Sequence, residues 1–306
     1  MARRPKIGLA LGSGGARGWC HLGVLSVLDE MGVEADIVAG CSMGALVGAA
    51  EAGGVRSNLT DWALALTHSR FLSLVDLRLS AGGLVAGREI ANVLSEWGLD
   101  CEIESLSRSF TAVATRLDNG REIWLGQGPL LPAVRASLAI PGLFTPQSID
   151  GHWLVDGGLT NPVPVSVARA RGADVIIAVN PNAKPSGRVW VPEAEEGAGI
   201  WAALEQRFMD LLPQDWRPEP DEAADQPAPQ AIEAVNAALD MLTEYLRRTR
   251  AAADPPDVSI EVDLTDLSAL SFFEAEKAIE AGRKAALAKR DQIAAALEAA
   301  GLTLNA

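Results

Sequence analysis

Along the first third of the chain the apolar positions fall into two similar units. Lys6 to Leu11 (KIGLAL) is a short apolar run that stops at glycines. Trp19 to Met31 then carries Leu22, Leu25 and Leu28 at helical spacing until Gly32 ends it. This predicts a strand, a glycine-rich loop and a helix. Asp36 to Ala39 predicts a second short strand, Gly40 to Gly44 a tight turn, and Ala45 to Ala52 a helix of small residues closed by Gly53 and Gly54. Two consecutive βα units predict a parallel sheet, because parallel neighbours need a crossover that a helix supplies. Phe110 to Arg116 and Arg121 to Leu125 flank Asp118-Asn119-Gly120, and Asn-Gly suits the positive φ angles of a type I′ hairpin turn. After a loop over Ala139 to Pro146, HWLVDGG reads as a strand ending in a turn, Pro164 to Arg171 as a helix, and Val175 to Val179 (VIIAV) as a buried strand.

The texture changes beyond this point. An α/β core is expected over residues 6–181. A Pro-rich, acidic excursion follows over 183–230, with Trp190, Trp201, Phe208 and Trp216 spread through it. We expect this excursion to be a lid, a contact with a membrane boundary, or an interface with the core or a second subunit, since aromatic side chains serve membrane boundaries and protein interfaces alike. Ala231 to Arg250 predicts an amphipathic helix, Asp257 to Leu264 a strand, and Phe272 to Ala300 one long Ala-rich helix. These C-terminal elements, within 231–306, are expected to complete the same core, so residues 1–306 are read as a single domain.

Charge removes one class of partner. The chain of 306 residues has 26 Lys and Arg against 40 Asp and Glu, a formal net charge of −14. That sign is wrong for gripping a phosphate backbone, and nucleic acid is not expected to bind. Residues 1–181 hold 14 basic and 17 acidic side chains, so most of the excess acidity lies C-terminal to them. Three cysteines, Cys20, Cys41 and Cys101, have no metal-ligand spacing, which argues against a disulfide framework and for a reducing, cytoplasmic setting. The basic start of the chain leads into a short apolar stretch without a cleavage pattern and reads as the first strand. No apolar run reaches the roughly 20 residues that a bilayer span requires.

Two motifs carry candidate chemistry. Gly40-Cys41-Ser42-Met43-Gly44 is a GxSxG sequence between a strand and a helix, the context of a nucleophile elbow. Gly12-Ser13-Gly14-Gly15-Ala16-Arg17-Gly18 also follows a strand and opens a helix. As a dinucleotide fingerprint it fails: counted from Gly12 the third required glycine falls on Arg17, and counted from Ser13 the first is missing. Backbone N–H groups at a helix start suit an oxyanion instead, and adjacent parallel strands would bring this loop beside Ser42. A serine hydroxyl needs a base. A histidine triad would use His152 with an earlier acid such as Asp118, whereas His21 and His68 read as packing or surface residues. The other candidate base is Asp156 in Asp156-Gly157-Gly158, provided that desolvation raises its pKa from about 3.9. Spacing leaves both bases open.

Taken in order, GSGGARG before a helix, GCSMG, and DGG followed by NPVPV resemble the patatin-like phospholipase family, in the bacterial branch related to neuropathy target esterase. ASLAIPGLFTP, GADVIIAVN and, more loosely, DPPDVSIEVDL and FFEAEKAIEAGRKAA extend the similarity over most of the chain outside 183–230. The resemblance implies a three-layer α/β/α fold with a mainly parallel central sheet and a C-terminal helical and strand extension. It implies a lipid acyl hydrolase with a serine–aspartate dyad: Ser42 as nucleophile, Asp156 as base, and Gly14, Gly15 and Ala16 as the oxyanion loop. Arg17 matches the basic residue that fixes the loop, with Gly12, Ser13, Gly18, Gly40, Gly44, Gly157 and Gly158 as supports. Ser13 stands where many members have glycine. Phospholipid or lysophospholipid is the implied substrate, and no metal or organic cofactor is implied. Weak peripheral membrane contact and homo-oligomerisation are compatible with this reading. A soluble short-chain esterase or thioesterase, and a regulatory protein retaining the fold, remain the alternatives.

Overall fold

The computed structural model describes residues 3–67, 70, 83–85, 88–185, 187 and 231–303. The strands are β1 Ile7–Leu11, β2 Ile37–Cys41, β3 Gly83–Val85, β4 Ser109–Arg116, β5 Glu122–Leu125, β6 Gly142–Phe144, β7 Gln147–Ile149, β8 His152–Asp156, β9 Val175–Ala183 and β10 Val258–Asp263. The helices are α1 Cys20–Glu30, α2 Met43–Ala52, α3 Arg56–Leu64, α4 Arg88–Glu96, α5 Leu130–Ser137, α6 Val165–Ala170, α7 Ala231–Ala253, α8 Ala275–Leu287 and α9 Arg290–Ala299.

Eight strands form one sheet in the order β10-β9-β1-β2-β4-β8-β7, with β5 also on β4. Strands β10, β9, β1, β2 and β4 are mutually parallel, while β5, β8 and β7 join antiparallel. The central strands are apolar at nearly every position because both faces are covered. Leu9, Leu11, Val38, Ile177 and Val179 point into one core, and Ala10, Ile37, Ala39, Ile176 and Ala178 into the other. Successive side chains of a strand alternate faces, so this division is the expected period of two. Helices therefore lie on both sides of the sheet, the three-layer α/β/α arrangement.

The register around β4 decides where the chemistry can sit. One edge of β4 pairs with β5 through Ala112–Thr115. The other edge carries two strands in succession. Parallel β2 ends with Cys41 opposite Val113, and antiparallel β8 ends with Asp156 opposite Ala114. The C-terminal ends of β2 and β8 thus meet head to head on adjacent residues of one strand.

Four expectations need correction. The hairpin between β4 and β5 forms, yet Gly120 alone of the Asn-Gly pair has positive φ, so the turn is not type I′. The connection is longer, with Gly120 N–H donating to Arg116 O at 2.9 Å. Residues 139–146 contain β6, paired with β3, where a loop is expected. Strand β9 continues through Ala183, so the sheet takes in the first residue assigned to the excursion; positions 186 and 188–230 of that segment lie outside the described residues. The long C-terminal helix is two helices joined at Lys289. A straight helix over 272–300 would be roughly 43 Å long, whereas α8 already spans its neighbour α1; the corner turns Ile293 and Leu297 of α9 onto β9 and β10.

Helices α1 and α8 approach backbone to backbone. A Cβ at Gly282 would lie 2.0 Å from Cys20 O, and one at Gly23 would lie 1.9 Å from Ile279 O. Gly282→Ala should therefore cost about 1–3 kcal/mol, the usual range for overpacking. This is measured as a lower urea midpoint at unchanged m-value.

Candidate active site

Strand β2 delivers the chain into a sharp turn at Ser42, whose φ of 55° and ψ of −123° lie outside the regions open to most residues with a side chain. Helix α2 starts immediately afterwards at Met43. The turn is tight enough that a Cβ at Gly44 would lie 2.0 Å from Leu11 O, while Gly40 pairs with Leu11 in the ladder. Gly44 is thus required by backbone contact between the elbow and β1, and Gly40 by contact with the first turn of α2, where its Cβ would lie 2.4 Å from Gly44 O. Ser42 N–H donates to Ser137 Oγ at 2.9 Å, and Ser42 Oγ donates to Asp156 Oδ2 at 2.5 Å.

Asp156 is the last residue of β8 and caps the following 3-10 turn, its Oδ1 accepting from Gly158 N at 2.7 Å. That bond fixes the carboxylate so that Oδ2 faces Ser42. Asp156 is 5% exposed, and burial raises its pKa to about 6 against the opposing hydrogen bonds from Ser42 and Gly158. Burial disfavours the anion, and here it outweighs the two donors. The result is a carboxylate more basic than an exposed one that is still ionised at neutral pH. Gly157 follows at β4, and Gly158 lines the cavity beside Ser13.

The glycine-rich loop comes to the same place. Gly12 N–H donates to Val179 O at 3.0 Å and Ser13 N–H to Pro162 O at 2.8 Å, which anchors the loop to the sheet. Gly15 has φ of 54°, a left-handed conformation that glycine adopts without strain. Gly14 and Gly15 line the cavity together with Ser42 and Asp156, and their N–H groups make no hydrogen bond among the described residues. Ala16 differs: its N–H donates to Ala269 O at 2.7 Å, so this amide is committed to the fold and the oxyanion expectation narrows to Gly14 and Gly15. Gly18 sits in the 3-10 turn Gly15–Trp19, against Met43.

Arg17 is buried and holds the loop from behind. Its Nε donates to Leu267 O at 2.7 Å, and Nη1 donates to Asn182 Oδ1 at 3.0 Å and to Asp240 Oδ2 at 2.6 Å. Three separate chain segments are thereby tied to one guanidinium. Lys184 approaches the same Asp240 oxygen at 3.9 Å, and burial followed by the Arg17 charge lowers its pKa. The cavity is about 80 Å³, with Ile140, Pro141, Leu159, Leu239, Ala269 and Leu270 as apolar wall and Asn182, Asp240 and Thr243 as polar wall.

Other candidate groups lie elsewhere. His21 is fully buried with Nε2 2.8 Å from Gly12 O, and burial lowers its pKa to about 4, so it is a neutral structural residue of the loop. His152 is exposed at the start of β8, four residues before Asp156 and therefore roughly 13 Å from it along the strand. Asp118 is exposed and paired with Arg116. His68 lies outside the described residues. Cys41 adjoins Ser42, yet burial and then the charges of Asp156 and Glu122 push its thiol up, which suppresses the thiolate. Among the described residues no group of His, Cys, Asp and Glu has the arrangement of a metal site, and no helix is long and apolar enough to cross a membrane. Ser137, Asn182, Asp240 and Ala269 had no sequence signal strong enough to single them out, although Ser137 lies within the ASLAIPGLFTP stretch.

The chain is similar to several known proteins. The family described as Patatin-like phospholipase matches residues 9–169, more than half of the chain. Uncharacterized NTE family proteins of Mycobacterium tuberculosis and Mycobacterium bovis are 34% identical over 91% of this chain and 89% of their own length. Patatin-like phospholipase domain-containing protein 7 of Mus musculus is 35% identical over 57% of this chain, which corresponds to 13% of that much longer protein. A looser likeness joins it to VipD from Legionella pneumophila, with a TM-score of 0.47 and 16% identity over 95% of this chain and 67% of that one. By the extent of the family match and the near full-length mycobacterial relatives, this chain belongs to the patatin-like phospholipase family.

Proposed function

We propose that this chain is a serine lipid acyl hydrolase acting on phospholipid or lysophospholipid esters, with Ser42 as nucleophile and Asp156 as general base. The observation that carries the reading is the 2.5 Å hydrogen bond from Ser42 Oγ to a buried carboxylate, beside two unengaged backbone amides in one cavity. Asp156 takes the Ser42 proton as Oγ attacks the ester carbonyl, and the Gly14 and Gly15 N–H groups stabilise the tetrahedral oxyanion. Collapse breaks the ester C–O bond, the leaving alcohol takes the proton from Asp156, and an acyl-serine remains. Water then gives its proton to Asp156, attacks the acyl carbon and releases the fatty acid with Ser42 restored. The apolar wall of Ile140, Pro141, Leu159 and Leu270 favours an acyl chain. Weak membrane contact and self-association belong to the same reading and would bring a sparingly soluble substrate to the cavity.

Ser42→Ala should abolish turnover of a short-chain ester and of micellar lysophospholipid, and Asp156→Asn should lower kcat at least about 10²-fold. His152→Ala should leave most of it. Full loss in the histidine variant with activity retained in Asp156→Asn would restore the triad.

Because the base must be ionised, kcat/KM should rise with pH through a midpoint near 6 and level off above it. A profile flat from pH 5 to 8 would contradict a base of that character.

The raised pKa also affects stability. Asp156 titrates near 6 when folded and near 3.9 when unfolded, so the folded state binds the proton more tightly and its stability falls as pH rises between those values. Below about pH 4 the group is protonated in both states and contributes nothing. Asp156→Asn should therefore be more stable than the wild type at pH 8, by on the order of 2 kcal/mol, and equal to it at pH 4 in urea denaturation.

A further inference from the structure

The connection after α5 touches both members of the proposed dyad. Ser137 Oγ accepts the N–H of Ser42 at 2.9 Å and donates to Val113 O at 2.6 Å. Two residues later, Ala139 O accepts the N–H of Asp156 at 2.9 Å. Ser137 and Ala139 are both fully buried. The carbonyl that Ser137 binds belongs to the β4 residue opposite Cys41, and the next β4 residue is opposite Asp156. Residues 137–139 therefore bridge the gap at which β2 and β8 meet, and hold one amide on each side of it.

This placement has a chemical consequence. A non-glycine residue at φ of 55° persists only where its surroundings over-determine the backbone, and the Ser42 amide has Ser137 as its hydrogen-bond partner. Because that amide is engaged, it is not an oxyanion donor, and its task is to hold the elbow. Without the Ser137 hydroxyl, a buried N–H and a buried carbonyl both lose a partner, and the turn that aims Ser42 Oγ is released on the side facing Asp156.

We propose that Ser137 is a positioning residue for acyl transfer: with the Ala139 carbonyl it clamps Ser42 and Asp156 at hydrogen-bond distance across the junction of β2 and β8. The inference rests on the dyad reading and adds a residue that touches neither substrate nor the transferred proton. A misplacement of about 1 Å by a change outside the reacting groups costs roughly 10² in rate, so the effect belongs in kcat. It also belongs in the pH profile, because the Ser42 hydrogen bond lowers the pKa of Asp156 and its loosening lets that pKa rise. The other ionisable groups around Asp156 are Cys41, whose thiol burial keeps protonated, Glu122 on the far side of β4, and Asp240 with Arg17 and Lys184; none of them is a hydrogen-bond partner of Ser137.

The test uses the full chain, p-nitrophenyl butyrate, and Ser137→Ala, Ser137→Thr and Ser137→Cys beside Ser42→Ala. Ser137→Ala should lower kcat about 10- to 100-fold with KM within about 2-fold, and should move the midpoint of the pH profile to higher pH. Ser137→Thr, which keeps the hydroxyl, should return the midpoint to the wild-type value. If Ser137→Ala does not accumulate folded, Ser137→Cys replaces it, since sulfur is a weak partner for the Ser42 amide; the same alkaline displacement is expected. An unmoved midpoint, with activity lost only in proportion to folded protein or not at all, overturns the clamp and leaves the dyad standing. Full activity in Ser42→Ala overturns the dyad reading itself.

Discussion

Everything at the candidate site depends on one edge of β4 serving two strands. Strand β2 uses the edge as far as Val113 and β8 takes it over at Ala114, so Cys41 and Asp156 end opposite neighbouring residues. A shift of one residue in either ladder would turn the side chains to the other face of the sheet. The position of Ser42 against Asp156 is therefore set by main-chain hydrogen bonds of the core, and the side chains inherit it. The apolar faces on both sides of the sheet hold that register, since any slip would expose one of them to water.

The same burial that holds the register also makes Asp156 more basic than an exposed carboxylate. Taking Asp156 out of water makes its anion less favourable, and the donors that remain, Ser42 and Gly158, restore only part of the loss. A more solvated carboxylate would be a weaker base, and a more isolated one would stay protonated at neutral pH. The loop on the other side of Ser42 is arranged by the same economy of donors. Ala16 N–H is committed to Ala269 O and Ser42 N–H to Ser137, which leaves Gly14 and Gly15 facing the cavity. Arg17 keeps that loop in place through contacts with residues as distant in sequence as Leu267.

Much of this was legible in the sequence where local chemistry decides. The apolar runs of β1, β2 and β9, the glycines of the elbow and loop, and the DGG turn mark their elements because backbone geometry there admits few residues. Spacing left the choice between Asp156 and His152 open, since both lie in one predicted strand, and only the family resemblance pointed to Asp156. The register supports the aspartate as the proposed base, because Asp156 lies at the junction and His152 at the far end of β8. The diversion of Ala16 and the contact of Ser137 with Ser42 are made by partners 253 and 95 residues away, and no local pattern encodes them. The corner at Lys289 escaped for a related reason: it lacks glycine or proline and follows from where α9 packs.

In the proposed mechanism a buried aspartate, without histidine, makes Ser42 a nucleophile. The most direct measurement is the rate at which a fluorophosphonate modifies the protein as a function of pH, with the modified residue located by peptide mass mapping, in wild type and in Asp156→Asn. Modification is expected at Ser42, at a rate that increases through pH 6, with near-complete loss of both the reaction and its pH dependence in Asp156→Asn. Modification at another residue, or a Ser42 reaction whose rate and pH dependence survive in Asp156→Asn, would contradict the mechanism.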